Sequence, residues 1–176
     1  NKVYRYGNSN YIGQKYLAYN EYFNNKEIKE NIDKISMQYN KYFDNIDSYF
    51  YFVTNSRAIN FNEISTGENV YFSYLKEKFD FKSDFLKVNS FEEYKDYFYE
   101  TDHHWNYKGS YQAYKDIINL MLPSEELIVP VGTTTFDIYF HGSYARKVSI
   151  YKNKEKFTVY DYELPPFETY VNGADA

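Results

Sequence analysis

Ser48-Tyr49-Phe50-Tyr51-Phe52-Val53-Thr54 is an unbroken aromatic and apolar run about the length of one buried strand, and its surroundings decide the fold class. Thr54-Asn55-Ser56-Arg57 leaves this strand at its carboxyl end, where open α/β sheets carry ligand-binding loops. Asn55 and Arg57 are therefore candidates for binding substrate or an oxyanion, with a turn-forming Asn and a solvated Arg as the plainer alternative. Just before the strand, Lys26 to Phe43 places Ile28, Ile32, Ile35, Tyr39 and Tyr42 on one face of a helix, with Asn24 or Asn25 as its cap. After it come a second helix over Val70 to Phe79, a short strand Phe85-Leu86-Lys87-Val88, and a helical turn over Phe91 to Asp96. A third helix follows from Tyr107 to Leu122. Asn106 is its natural N-cap, Ala113, Tyr114, Ile117, Ile118 and Met121 form its inner face, and Pro123 stops it.

At the two ends the pattern is strand-like. Val3-Tyr4-Arg5-Tyr6 and Tyr16-Leu17 suit a short hairpin or edge strands. Beyond Pro123, strands are expected over Glu126 to Val131, Thr135 to Phe140, Lys147 to Tyr151 and Phe157 to Tyr162. The order predicts an α/β layered domain: an N-terminal α/β part over 1–122 and a β-rich C-terminal appendage of the same domain over 123–176.

The chain has 176 residues, enough for one domain with its own core. Its apolar content is carried by 24 Tyr and 15 Phe against a single Trp, so the core must be largely aromatic. An AT-rich coding sequence would give such a composition, and a carbohydrate-facing surface is the functional alternative. The net charge of -5, with both signs interspersed, argues against a nucleic-acid partner. The absence of cysteine excludes disulfides, a thiol nucleophile and a thiolate zinc site. No stretch has the apolar length of a membrane span, and Asn1 to Gly13 lacks the pattern of a signal peptide. The start without Met and the end at Ala176 lead us to expect a piece of a longer protein.

Chemistry concentrates in Thr101-Asp102-His103-His104-Trp105, directly before the third helix. A histidine that takes a proton from a hydroxyl nucleophile needs its other ring nitrogen held by a carboxylate, which fixes the tautomer and stabilises the imidazolium. In an extended loop, Asp102 and His104 point the same way. Asp and two His also suit zinc or iron, but adjacent histidines project apart in most conformations and no further ligand set completes a coordination sphere. A third reading is structural, with Asp102 as a cap and the histidines satisfied by hydrogen bonds.

Tyr99-Glu100-Thr101-Asp102-His103-His104-Trp105-Asn106, followed by Gly109 and Tyr111-Gln112-Ala113-Tyr114, resembles the bacterial DHHW family. That family is similar to the SGNH-like domains of alginate and other exopolysaccharide O-acetyltransferases, whose motif is Asp-x-His-Trp. Further likeness lies in Val3-Tyr4, Tyr11-Ile12-Gly13, Phe52 to Ser56 and Phe140-His141-Gly142-Ser143-Tyr144, so it covers roughly residues 3–150. The resemblance implies an SGNH-like fold in which Asp102 orients His104 and His104 is the base. His103 is then the intervening position and Trp105 packs beneath the loop, both beside the substrate. The family's serine lies in a later block, of Asp-Ser-Tyr or Gly-Thr-Ser-Phe type, that has no counterpart after Trp105. Ser143 reads as a turn residue, and Ser56 lacks the glycines of a nucleophile elbow.

The resemblance thus implies part of an esterase or O-acetyltransferase acting on a cell-surface polysaccharide, with its serine nucleophile outside this chain. It needs no metal or organic cofactor. The implied partners are the polysaccharide, an acyl donor and a membrane-bound acyltransferase. The implied location is extracytoplasmic or at the cell surface, membrane-associated through a segment outside the chain. The alternative is an inactive carbohydrate-binding or surface-assembly module with a tyrosine stacking face.

Overall fold

Aromatic and β-branched residues in short runs make strands here, and helices fill the spaces between them. The computed structural model describes residues 3–6, 9–12, 18–20, 25–43, 46–53, 70–79, 81–88, 90–147, 149, 155–164, 166, 170–171 and 174–175. The chain opens with an antiparallel meander of β1 (Val3–Tyr6), β2 (Ser9–Ile12) and β3 (Ala18–Asn20). The partner of Val3–Tyr6 is thus Ser9–Ile12, and Tyr16 and Leu17 lie outside the described residues. Helix α1 (Asn25–Tyr42) follows, with Asn25 as its first residue. Asn24, the other expected cap, lies outside the described residues.

The aromatic run forms β4 (Tyr49–Phe52), which pairs in parallel with β5 (Lys82–Phe85). Helix α2 (Val70–Lys78) lies between them in sequence, as a parallel connection requires. The chain is accordingly of mixed α/β character, with small sheets. The second strand sits earlier than Phe85 to Val88. Leu86 continues the ladder by one bond to the Phe52 carbonyl at 2.9 Å, and then Leu86 and Val88 leave it to become core residues. Their apolarity marked burial, and burial did not require a strand.

Helix α3 (Phe91–Tyr97) starts on Ser90, whose hydroxyl accepts from the Glu93 N–H. Helix α4 (Tyr107–Met121) starts on Asn106 as expected. Leu86, Val88, Tyr94 and Phe98 form a buried cluster, flanked by Tyr51, Val53, Tyr97 and Trp105. Burying each such large side chain contributes roughly 1.5–3 kcal/mol. Helix α4 is tied to the sheet where the Tyr51 hydroxyl donates to Asp116 at 2.7 Å. Burial, and then the Asp116 carboxylate, push that hydroxyl's pKa up.

Two helical faces depart from the periodicity. On α1 the inner residues are Ile32 and Ser36, while Ile35 is 57% exposed and Tyr42 is exposed too. The reason is the position of α2, whose Tyr74 and Lys78 reach Asp33 at 2.9 and 3.2 Å and so rotate α1 about one residue from its most apolar face. On α4 the buried residues are Gly109 and Ala113, and Met121 is exposed at the last turn.

The C-terminal part is a hairpin of β6 (Gly132–Phe140) and β7 (Glu155–Asp161), interrupted by α5 (Ser143–Lys147). Its register shifts between Phe136 and Tyr139. A two-stranded antiparallel pair of β8 (Tyr170–Val171) and β9 (Ala174–Asp175) ends the chain. Glu126 to Val131 is not a strand. Leu127, Ile128, Val129 and Val131 are exposed, and Val131 N–H donates to the Asp161 carbonyl of β7 at 2.9 Å just before β6 begins. Lys147 closes α5 instead of opening a strand, and most of the residues after it up to Tyr151 lie outside the described ones.

Candidate active site

The segment between α3 and α4 is a pinched loop. Phe98 and Trp105 form an antiparallel bridge at its neck. Tyr99 N–H donates to the His104 carbonyl at 3.3 Å, and Asn106 N–H donates to that of Tyr97 at 2.8 Å. The Asn106 side chain accepts from Lys108 N–H and Gly109 N–H at 2.9 and 3.2 Å, filling two otherwise orphaned donors of α4. Its amide also donates to the Asp96 carbonyl at 2.8 Å. A side chain at position 109 would meet the Tyr97 carbonyl oxygen at 2.4 Å, so glycine is what lets α4 press against the neck.

The inside of the loop is held from far along the chain. Thr101 is 0% exposed and Asp102 4%. The Glu155 carboxylate, at the start of β7, accepts from the N–H groups of Glu100 and Thr101 and from the Thr101 hydroxyl. That hydroxyl in turn accepts from Gly142 N–H at 3.0 Å. The Thr101 carbonyl accepts from Tyr144 and Ala145 at 3.0 and 3.2 Å, and Ser143 N–H donates to Asp102 Oδ2. A Cβ at Gly142 would fall 2.4 Å from both the Thr101 carbonyl oxygen and Asp102 Cβ.

Asp102 Oδ1 faces the histidines. It accepts from His104 N–H at 3.0 Å and from His104 Nδ1 in a short contact, with His103 Nδ1 at 3.3 Å. Burial raises the Asp102 pKa, but the Ser143 and His104 N–H groups and the His104 ring outweigh it, leaving the carboxyl below its ordinary value of 3.8. An ionised carboxylate at Nδ1 puts the proton there and leaves the lone pair on Nε2. The His104 side chain is 67% exposed, so Nε2 is reachable from outside. The pair expected from the sequence is therefore brought together in the form a general base needs.

His103 is exposed as well, with its ring centre 3.8 Å from that of His104. Its Nδ1 lies 2.8 Å from the Ser143 hydroxyl, the same nitrogen that faces Asp102. A relay from serine to carboxylate uses the two different ring nitrogens. Ser143 is thus not set up as a nucleophile through His103. It opens α5 rather than sitting in a turn. Trp105 packs against the core cluster under the loop. Asn55, Ser56 and Arg57 lie outside the described residues.

The histidines do not diverge as expected. With both Nδ1 atoms turned to one carboxylate, one donor atom from each of Asp102, His103 and His104 falls within 4.8 Å of the others. These three are the residues that could hold a metal. Asp102 Oδ1 already accepts two hydrogen bonds from His104, and no further carboxylate or histidine joins the group among the described residues.

Glu155 carried no signal in the sequence, and Thr101 and Gly142, though part of segments that stood out, had no assigned role. A carboxylate at the head of a strand carries no local signal of what it will clamp, although Gly142-Ser143-Tyr144 did stand out as a family-like segment.

The fold and this loop define an α/β domain with a carboxylate-held histidine at the surface. No family model matches the chain, and no curated protein matches it in sequence. Among solved structures it is similar to Bacillus cereus PatB1 with a sulfonyl adduct, at TM-score 0.57 and 18% identity over 92% of this chain and 58% of that one. It is likewise similar to a DHHW family protein from Eubacterium siraeum, at TM-score 0.57 and 14% identity over 91% of this chain and 56% of that one. At these identities the shared property is the fold. The chain spans less than three-fifths of either structure's length.

Proposed function

We propose that this chain carries the acid and base half of an SGNH-like acyl-transfer site, whose serine lies outside these 176 residues. The observation that carries it is the buried Asp102 carboxylate on His104 Nδ1 with the exposed Nε2 beyond. In the proposed reaction, His104 Nε2 takes the proton of the serine hydroxyl as its oxygen attacks an acyl carbonyl, and the proton then passes to the departing group. Asp102 stays ionised throughout and stabilises the imidazolium. A second hydroxyl, on a cell-surface polysaccharide, or water then takes the acyl group by the same route in reverse. PatB1 in its sulfonyl-bound form lends support, since sulfonyl groups are captured by activated nucleophiles.

The SGNH-like layering, the β-rich appendage over 123–176 and the extracytoplasmic location belong to the same proposal. Within it, Asn55, Arg57, His103 and Trp105 line the substrate side, and a membrane-bound acyltransferase supplies the acyl group. No helix among the described residues is long and apolar enough to cross a membrane, so membrane association would run through another segment.

The test is hydrolysis of p-nitrophenyl acetate by the protein at its natural length. His104→Ala should lower kcat/KM about 10²- to 10⁴-fold, the range for loss of a general base. His103→Ala should change it far less. Equal activity in wild type and His104→Ala would overturn the assignment. So would one zinc per chain that is lost when both histidines are replaced.

A further inference from the structure

A groove of about 490 Å³ runs between the outer face of α4 and the strand β7, beginning at the loop that carries His104. Trp105, Tyr107, Tyr111, Tyr160 and Tyr162 are among its aromatic lining, with Ser110 and Asn106 beside them. The rings form a continuous ladder. Tyr160 meets Tyr107 edge to face at 4.7 Å and Tyr111 at 5.4 Å, and Tyr111 continues to Tyr162 at 6.4 Å and to Tyr114 at 5.8 Å.

Two properties narrow the occupant. First, no Asp, Glu, Lys or Arg among the described residues lines the groove, although the chain as a whole carries a net charge of -5. Lys115 Nζ lies 5.3 Å from the Tyr111 ring centre, outside the lining itself. Burial first, and then neighbouring tyrosines, raise the Tyr162 pKa, so this hydroxyl stays neutral as well. Second, the surface sets aromatic rings beside hydroxyl and amide groups. Flat apolar faces edged by hydroxyls are the chemistry of a pyranose, whose C–H face stacks on a ring while its hydroxyls meet polar edges. A charged polymer would lose solvation here without gaining a counter-charge.

We infer that this groove is a binding site for an uncharged polysaccharide strand, leading the chain past Trp105 toward His104. The direction toward His104 rests on the acyl-transfer proposal above; the binding itself does not.

The single Trp of the chain stands in the groove, so its emission reports occupancy directly. The experiment is a titration of that fluorescence with hexasaccharides of cellulose, xylan, chitin and starch, and with an alginate fragment as the acidic control. At least one neutral hexasaccharide should shift or quench the emission at millimolar concentration, and the alginate fragment should not. Tyr111→Ala should weaken the response about fivefold to tenfold, the scale of one aromatic stacking contact. Tyr162→Ala, at the more exposed end of the ladder, serves as the second variant should Tyr111→Ala lower the melting temperature. His104→Ala should bind like wild type, so a failed hydrolysis assay and a failed titration separate the two proposals.

Silence with all four neutral sugars would overturn the inference, as would an equal response in wild type and both tyrosine variants. Self-association that Tyr111→Ala abolishes would also overturn it, because the groove would then be a contact between two copies.

Discussion

The loop over residues 99–106 and the hairpin of β6 and β7 meet at Glu155, yet they are built in opposite ways. The loop has no regular structure. Its geometry is nonetheless fixed by hydrogen bonds donated by Gly142, Ser143, Tyr144 and Ala145 and accepted by Glu155, which leave Thr101 and Asp102 sealed. The hairpin has a regular ladder on either side of one register shift, while β6 is exposed along Gly132 to Tyr139, including Phe136 and Ile138. Regularity and rigidity are thus separate properties. A ladder satisfies the backbone, but packing and satisfied polar groups are what make a position intolerant of change.

Substitutions on the two sides measure the difference. The largest effect should come from Gly142→Ala, because its Cβ meets backbone at 2.4 Å and neither chain can yield cheaply. A loss of about 3 kcal/mol in urea unfolding is expected, the upper range for overpacking. The matched change on the hairpin, Gly132→Ala, meets only the end of the Asp161 side chain at 3.3 Å. It should stay within about 0.5 kcal/mol of wild type, as surface substitutions do. Equal losses at the two glycines would break the comparison.

Next in size is Asn106→Ala, which removes the cap of α4 and should cost about 1 kcal/mol, read in the same unfolding curves. A smaller, pH-dependent effect separates the two carboxylates that grip the loop. Burial outweighs the hydrogen bonds at Glu155 and holds its pKa above the ordinary 4.5, whereas Asp102 is held below 3.8. A raised carboxyl binds its proton earlier in the folded state, so its contribution to stability falls as pH rises through that pKa. A lowered one contributes fully above its unfolded pKa and is lost as pH falls through the folded value. Stability measured from pH 7 downward should therefore rise slightly through Glu155 and then fall through Asp102. Glu155→Gln should remove the rise and leave the fall. Smallest of all, Ile138→Thr, at a 56% exposed site in the irregular part of the hairpin, should shift the melting temperature by about one degree or less.

The same division marks how far the sequence could be read. Features written in adjacent residues were legible: the aromatic run of β4, the Asn106 cap of α4, and Asp102 facing His104 two positions on. Features set by a partner were not. Asp33 gripping Tyr74 and Lys78 moved the inner face of α1 from Ile35 to Ser36, and no periodicity within α1 records that choice. Leu86 and Val88 are buried outside a strand, and Leu127, Ile128 and Val129 are neither buried nor in a strand. The Glu155 clamp reaches back 54 residues to Thr101, a distance at which single-sequence patterns are silent. The tyrosine ladder was legible only as an excess of one residue type. Its function as a surface needed α4 and β7 side by side.

The span of that clamp also sets an order of events at the ribosome. Asp102 and both histidines leave the exit tunnel well before Ser143, 41 residues on from Asp102, and before Glu155, 54 on from Thr101. At about 5–20 residues per second the interval lasts some seconds. Throughout it α4 has its cap while the histidines lack a fixed carboxylate. The pair of Asp102 and His104 is therefore fixed only after the strand that follows has emerged, and a nascent chain stalled before β7 would display the motif without its clamp.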